Sequence, residues 1–164
     1  MNLSDTFQVT LPSDTEILVK REFDAPREAV FNAHTKPELL ERWMTGPPGW
    51  SLTRCDLDLR AGGSAHYEWK GVDGSGFGLR QTIHEFVPPS RMVTTERFEM
   101  GEGAPMGVQY VTLEFADAGE RTHMTMTLRY DDKASRDGAL ASGMDKGMAA
   151  SYDKLDLALT GARA

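Results

Sequence analysis

The chain predicts an α+β domain in which a curved, seven-stranded antiparallel sheet wraps around one long C-terminal helix, with two short helices after the first strand. Three observations carry this. Six consecutive segments between about 50 and 130 alternate apolar and polar side chains with period two, as strands of a half-buried sheet do. The segment 135–160 instead repeats Leu140, Met144, Met148, Tyr152, Leu155 and Leu159 at steps of three or four, the spacing of one amphipathic helix face. An open sheet with one apolar face needs a cover, and that last helix is the only element large enough to provide it.

A length of 164 residues suits a single core, so 1–164 is expected to be one domain, with 1–14 an irregular lead-in. Thr15–Phe23 alternates Ile17, Val19 and Arg21 against Glu16, Leu18 and Lys20 and reads as the first strand. Asp24 and Pro26 supply a cap and a first-turn proline for a helix carrying Ala29, Val30 and Phe31. Thr35 and Glu38 have capping-box spacing before Leu39, Leu40 and Trp43, which makes a second short helix. Gly46-Pro47-Pro48-Gly49 ends it, because the prolines lack N–H donors. Strands are then expected at 50–58, 63–70, 78–87, 91–98, 108–115 and 122–130. They are separated by Gly62-Gly63, Asp73-Gly74, Pro88-Pro89, Gly101–Gly107 and Asp117–Gly119. The glycines of 71–78 read as a hairpin turn, since they join two strands and open no helix.

The formal net charge of -7 opposes attraction to phosphate backbones, so nucleic acid is not an expected partner. A membrane partner is not expected either: there is no run of about 18 apolar residues, no basic amphipathic stretch and no lipidation signal. Residues 1–12 lack the basic start and apolar stretch of a secretory leader, and the one cysteine, Cys55, has no internal disulfide partner. A cytoplasmic protein is expected. The histidines at 34, 66, 84 and 123 are scattered, and no Cys or His set has metal-ligand spacing, so neither metal nor cofactor is expected. With no Gly-x-Ser-x-Gly elbow, P-loop or dinucleotide fingerprint, no catalytic residue is assigned.

Strand parity puts Tyr67 and Trp69 on the inner face with Ala65, Met124 and Met126 with Leu128, and Met92 and Glu96 with Thr94 and Phe98. Met144, Met148 and Tyr152 share one side of the last helix, and Trp43 stands near one end of the sheet. An apolar concavity with a few polar groups is the usual form of a small-molecule site, so these ten residues are the candidate ligand-binding set. Methionine suits an adaptable lining as well as gap-filling in a closed core. Gly143 and Gly147, each costing roughly 1 kcal/mol inside a helix, fit either room for a ligand or close packing. An inward Glu96 resists ionisation unless paired, and Arg80 or Arg97 is the expected partner.

Arg21-Glu22-Phe23-Asp24-Ala25-Pro26, Val30-Phe31, Trp43, Asp58–Gly63, Glu85, Pro88–Val93, Thr122, Gly143-Met144, Gly147 and Leu155 together form a specific pattern. On these residues the chain resembles the START-like (SRPBCC) helix-grip superfamily and, within it, the homologues of the activator of heat shock protein ATPase that occur as stand-alone bacterial proteins. Met44, where a second tryptophan is common, and Glu96, where an aromatic residue is frequent, depart from the pattern. The resemblance implies a helix-grip fold. Its expected function is to hold a small apolar or aromatic molecule between sheet and helix. Two alternatives stay open: a cyclase- or aromatase-like enzyme in which Glu96, Tyr67 or Tyr152 move protons, and a chaperone-associated interaction module, with a homodimer as a further assembly.

Overall fold

The structure, a computed structural model, describes residues 3–100 and 104–163. A short 3-10 turn, Ser4–Thr6, leads into β1 (Gln8–Thr10) and β2 (Glu16–Phe23). Helices α1 (Arg27–Thr35) and α2 (Pro37–Trp43) follow, and then strands β3 (Ser51–Asp58), β4 (Ser64–Lys70), β5 (Gly76–Val87), β6 (Arg91–Met100), β7 (Ala104–Ala118) and β8 (Arg121–Arg129). The chain finishes with α3 (Lys133–Ala141) and α4 (Met144–Arg163). The sheet has the order β1-β2-β8-β7-β6-β5-β4-β3, and every pairing is antiparallel. This is the helix-grip arrangement expected, with three corrections.

The sheet has eight strands, not seven, because part of the expected irregular lead-in adds to its edge: Gln8, Val9 and Thr10 pair with Lys20, Val19 and Leu18. Three residues with only Val9 turned toward the core give too short a pattern to detect by periodicity. The single helix expected over 135–160 is two. Gly143 adopts φ 82°, a left-handed conformation that ends α3, and α4 starts directly after it. Asp132 caps α3, its carboxylate accepting from the Ser135 N–H at 2.7 Å.

The third correction concerns the caps of the short helices. Pro26 is the cap residue of α1 and Lys36 that of α2, neither with a side-chain capping bond. Only Lys36 separates the two helices, so Thr35 remains the last residue of α1 and its hydroxyl donates back to the Phe31 carbonyl at 2.9 Å. The expected capping box between Thr35 and Glu38 therefore does not form.

Strand parity holds across the sheet. Ile17, Val19 and Phe23 of β2, Ala65, Tyr67 and Trp69 of β4, Val111, Leu113 and Phe115 of β7, and Met124 and Leu128 of β8 are all buried in one continuous core with Val30, Leu40, Tyr152 and Leu155 of the helices. In β3 a register shift between Leu52 and Arg54 resets the alternation, so that Leu52, Cys55 and Leu57 all pack against that core.

Candidate functional site

The inner face of the sheet carries one polar row. Backbone register aligns Leu57, Ala65, Gln81, Glu96 and Gln109 across β3 to β7, and Tyr130 lies just past β8. Glu96 is its centre. One carboxylate oxygen accepts from Gln81 Nε2 at 2.6 Å and from the Thr94 hydroxyl at 3.4 Å; the other accepts from Gln109 Nε2 at 2.8 Å. The Tyr130 hydroxyl donates to Gln109 Oε1 at 2.7 Å and also lies 4.0 Å from the Met144 sulfur, which brings the first turn of α4 to the row.

The expected arginine partner is thus replaced by two amides and a hydroxyl. Arg80 points to the other face, where it binds Glu99 at 2.5 Å, and Arg97 is exposed. Gln81 and Gln109 were legible by parity, since they alternate in phase with Leu79 and Ile83 and with Val111 and Leu113. A search for charged partners passes over neutral amides.

Burial outweighs these donors and holds the Glu96 carboxyl above its ordinary range, while the Gln109, Gln81 and Thr94 bonds pull it down. Glu96 as a whole residue is nevertheless only partly buried. Burial raises the Tyr67 phenol most, with Cys55 and then Glu96 adding to the effect. Tyr130 is pushed up to about 12 by burial and then by Glu96. Tyr152 is raised by burial and by Glu96, partly offset by Arg21. Three phenols, on β4, after β8 and on α4, therefore all lie within the field of one carboxylate. Tyr67 and Tyr152 are each 3% exposed, and neither hydroxyl has a hydrogen-bond partner among the described residues. Cys55 is pushed up to about 11, first by burial, then by Glu41 and Asp56, so it is a thiol near neutral pH and no activated nucleophile.

The ten candidate residues divide into groups. Tyr67 and Trp69 stack with ring centroids 5.9 Å apart, Trp69 stacks on Phe77 at 4.7 Å, and the Trp69 indole N–H donates to the Met44 carbonyl at 2.9 Å. Met144 and Met148, both partly buried, and Tyr152 follow one another at four-residue steps on α4. Met92 and Met126 share a different row with Phe86, Leu113 and Val19. Met124, 1% exposed, lies one row farther with Phe115 and Arg21. Trp43 stacks on Tyr152 at 5.7 Å and donates to the Ala33 carbonyl at 2.9 Å, which sets it in the helical layer.

Beside Trp43 lies a buried group the sequence did not single out. His34 is packed 4.9 Å from the Trp43 ring and 5.0 Å from Phe115, with Nδ1 2.8 Å from the Val30 carbonyl and Nε2 enclosed without a partner. Burial lowers its pKa to about 4, against the raising effect of the Val30 bond, so the ring is neutral near pH 7.

Surface depressions among the described residues include two that stand out. One of about 370 Å³ lies at the β3–β5 side of the sheet among Asp56, Asp58, Ser64, His66, Arg80 and Thr82. Another of about 210 Å³ lies between α1, α2 and α4 among Ala29, Leu39, Arg42, Trp43, Ala158 and Leu159. Among the described residues no group of three or more His, Cys, Asp or Glu side chains could hold a metal ion, and no helix is long and apolar enough to cross a membrane.

Comparison with known proteins matches residues 24–160 to the family described as Activator of Hsp90 ATPase homolog 1-like protein. No curated protein matches. Solved structures are similar over nearly the whole chain. A crystal structure of a Rhodobacter sphaeroides protein has 30% identity and a TM-score of 0.87, covering 96% of this chain and 99% of that one. A solution structure from Arthrobacter aurescens has 26% identity and a TM-score of 0.84, covering 94% and 91%. A Mycobacterium smegmatis protein has 25% identity and a TM-score of 0.83, covering 94% and 98%.

Proposed function

The chain belongs to the Activator of Hsp90 ATPase homolog 1-like family, and from that premise we propose that it binds a small apolar or aromatic molecule between the concave face of the sheet and α4. The observation carrying this is the state of Glu96. Its carboxyl is desolvated by the protein around it, yet the residue is only partly buried. A carboxyl so desolvated on a residue that is only partly buried fits an internal recess, and an apolar recess with one polar anchor is what small ligands occupy. Tyr67 and Trp69 form one wall, Met144 and Met148 of α4 the other, and Tyr152 supports the inner end. With every nearby phenol and thiol protonated near neutral pH, the arrangement favours holding a molecule over attacking one.

Native mass spectrometry of the purified protein tests for a retained small molecule, and titration with the neutral fluorophore Nile red tests the recess directly. Met148→Trp is expected to abolish Nile red binding with little loss of stability, because the indole fills space already present. In a closed core the same ring would force strain of roughly 1 to 3 kcal/mol. A strongly destabilised variant, together with a wild type that binds no dye, overturns the reading. One observation then favours a protein-interaction module instead: the apolar depression between α1, α2 and α4, which opens at the surface.

A further inference from the structure

The corner around Glu96 points to the chemistry of its occupant, an inference that rests on the recess proposed above. Every donor in the polar row is aimed at the carboxylate: the Gln81 and Gln109 amides and the Thr94 hydroxyl directly, and Tyr130 through Gln109. What remains unmet is acceptor capacity. An ionised carboxylate takes about four hydrogen bonds and here receives three, one of them long at 3.4 Å. Beside it, Gln81 is 8% exposed and its carbonyl oxygen is enclosed with no partner.

The corner also lacks positive charge. Among the described residues no lysine, arginine or histidine forms an ion pair with Glu96. Arg80 is committed to Glu99, and Arg21, the buried cation of the inner face, is held by Asp153 and Asp156. Tyr67 and Tyr152 add hydroxyl oxygens that have no hydrogen-bond partner among the described residues and can accept from a cation.

These features rank the ligand classes. A carboxylate would place a second anion beside Glu96 with nothing to neutralise either. An alcohol brings one donor and adds acceptors to a site already rich in them. An ammonium brings three donors, no acceptor and the missing charge, and pairing it with Glu96 offsets the cost of keeping that carboxylate desolvated. We propose that the ligand is an apolar amine, its protonated nitrogen paired with Glu96 and its apolar body lying between Tyr67, Trp69 and the methionines of α4.

Displacement of Nile red by 4-phenylbutylamine, 4-phenylbutanol and 4-phenylbutyrate tests this near neutral pH, because the three share one skeleton and differ in the end group. The amine should displace the dye from the wild type at about tenfold lower concentration than the alcohol, equivalent to about 1.4 kcal/mol, with the carboxylate weakest. Glu96→Gln should erase the amine's advantage over the alcohol. Dye binding with the alcohol equal to or better than the amine, or an amine preference that survives Glu96→Gln, overturns the proposal and leaves the recess standing. A wild type that binds neither dye nor any of the three overturns the recess and the amine together. The wild-type ranking needs no variant, so a Glu96→Gln protein that failed to fold would not remove the test.

Discussion

At the scale of single residues, two buried ionisable groups pull stability in opposite directions with pH. Glu96 has a folded pKa above its unfolded value, so its contribution worsens as pH rises through that interval. His34 has a folded pKa lowered from 6.5 to about 4. Between those values the unfolded chain binds the proton and the folded chain does not, so stability rises with pH across the window and is lost as pH falls. At 1.36 kcal/mol per unit, His34 can contribute roughly 3 kcal/mol of acid sensitivity. His34→Phe keeps an aromatic ring against Trp43 and Phe115 and removes the titration. Urea denaturation from pH 7 to pH 4 should show the variant losing less stability than the wild type, with the gap opening below pH 6.5. Parallel profiles would show that His34 is protonated in the folded state.

At the scale of elements, two nearby glycines with the same composition signal do opposite things. Gly143 has φ 82° and forms the break between α3 and α4, a conformation costly for any residue with a Cβ. Gly147 lies in the first turn of α4, and a Cβ there would meet nothing within 4 Å. Close packing is therefore not the reason for it. Gly147→Ala should raise stability by about 1 kcal/mol through helix propensity, whereas Gly143→Ala should lower it. Thermal unfolding of the two variants reads the signs, and equal shifts would refute the assignment.

The same pair shows what the sequence made legible. Regular alternation located β2 to β8 and the inner faces of β4, β6 and β8, because an unbroken pleated strand enforces period two, whereas the register shift between Leu52 and Arg54 interrupts it in β3. The helical period of 135–160 runs through Gly143 without a change of phase, so the break rests on one backbone angle that periodicity does not encode. For the site, parity located Glu96, Tyr67 and Trp69. The partners of Glu96 come from β5 and β7, and assigning them requires the strand register, which pairs Gln81 and Gln109 with it. Met92 and Met124 have the right parity but stand on other rows, a distinction that also depends on register.

At the scale of the whole molecule, the helix and the sheet are locked together at one end of the grip. Arg21 of β2, whose side chain is 0% exposed, reaches Asp156 of α4 with both terminal nitrogens, at 3.0 and 2.7 Å, and Asp153 at 3.0 Å. Lys154 ties the same helix to Thr45 and the Gly46 carbonyl, each at 2.8 Å. Farther toward the start of α4, Met144 and Met148 stay partly buried beside the Glu96 row, where the Tyr130 hydroxyl is 4.0 Å from the Met144 sulfur. Polar anchoring thus concentrates away from the Glu96 row, beside which the ligand site is proposed, so the fold can be secured without involving that row. Arg21→Leu should cost about 3 to 5 kcal/mol, because it leaves Asp156, 8% exposed, as a buried charge without its partner. Arg21→Leu combined with Asp156→Leu should recover a large part of that loss, since an apolar pair removes the stranded charge. Nile red affinity should change little in whichever variants fold, as neither residue belongs to the Glu96 row. Urea melts of the two single variants and the double variant give the coupling directly. Additive losses would mean that the pair is not the lock and that apolar packing of Leu155 and Tyr152 alone holds α4 on the sheet.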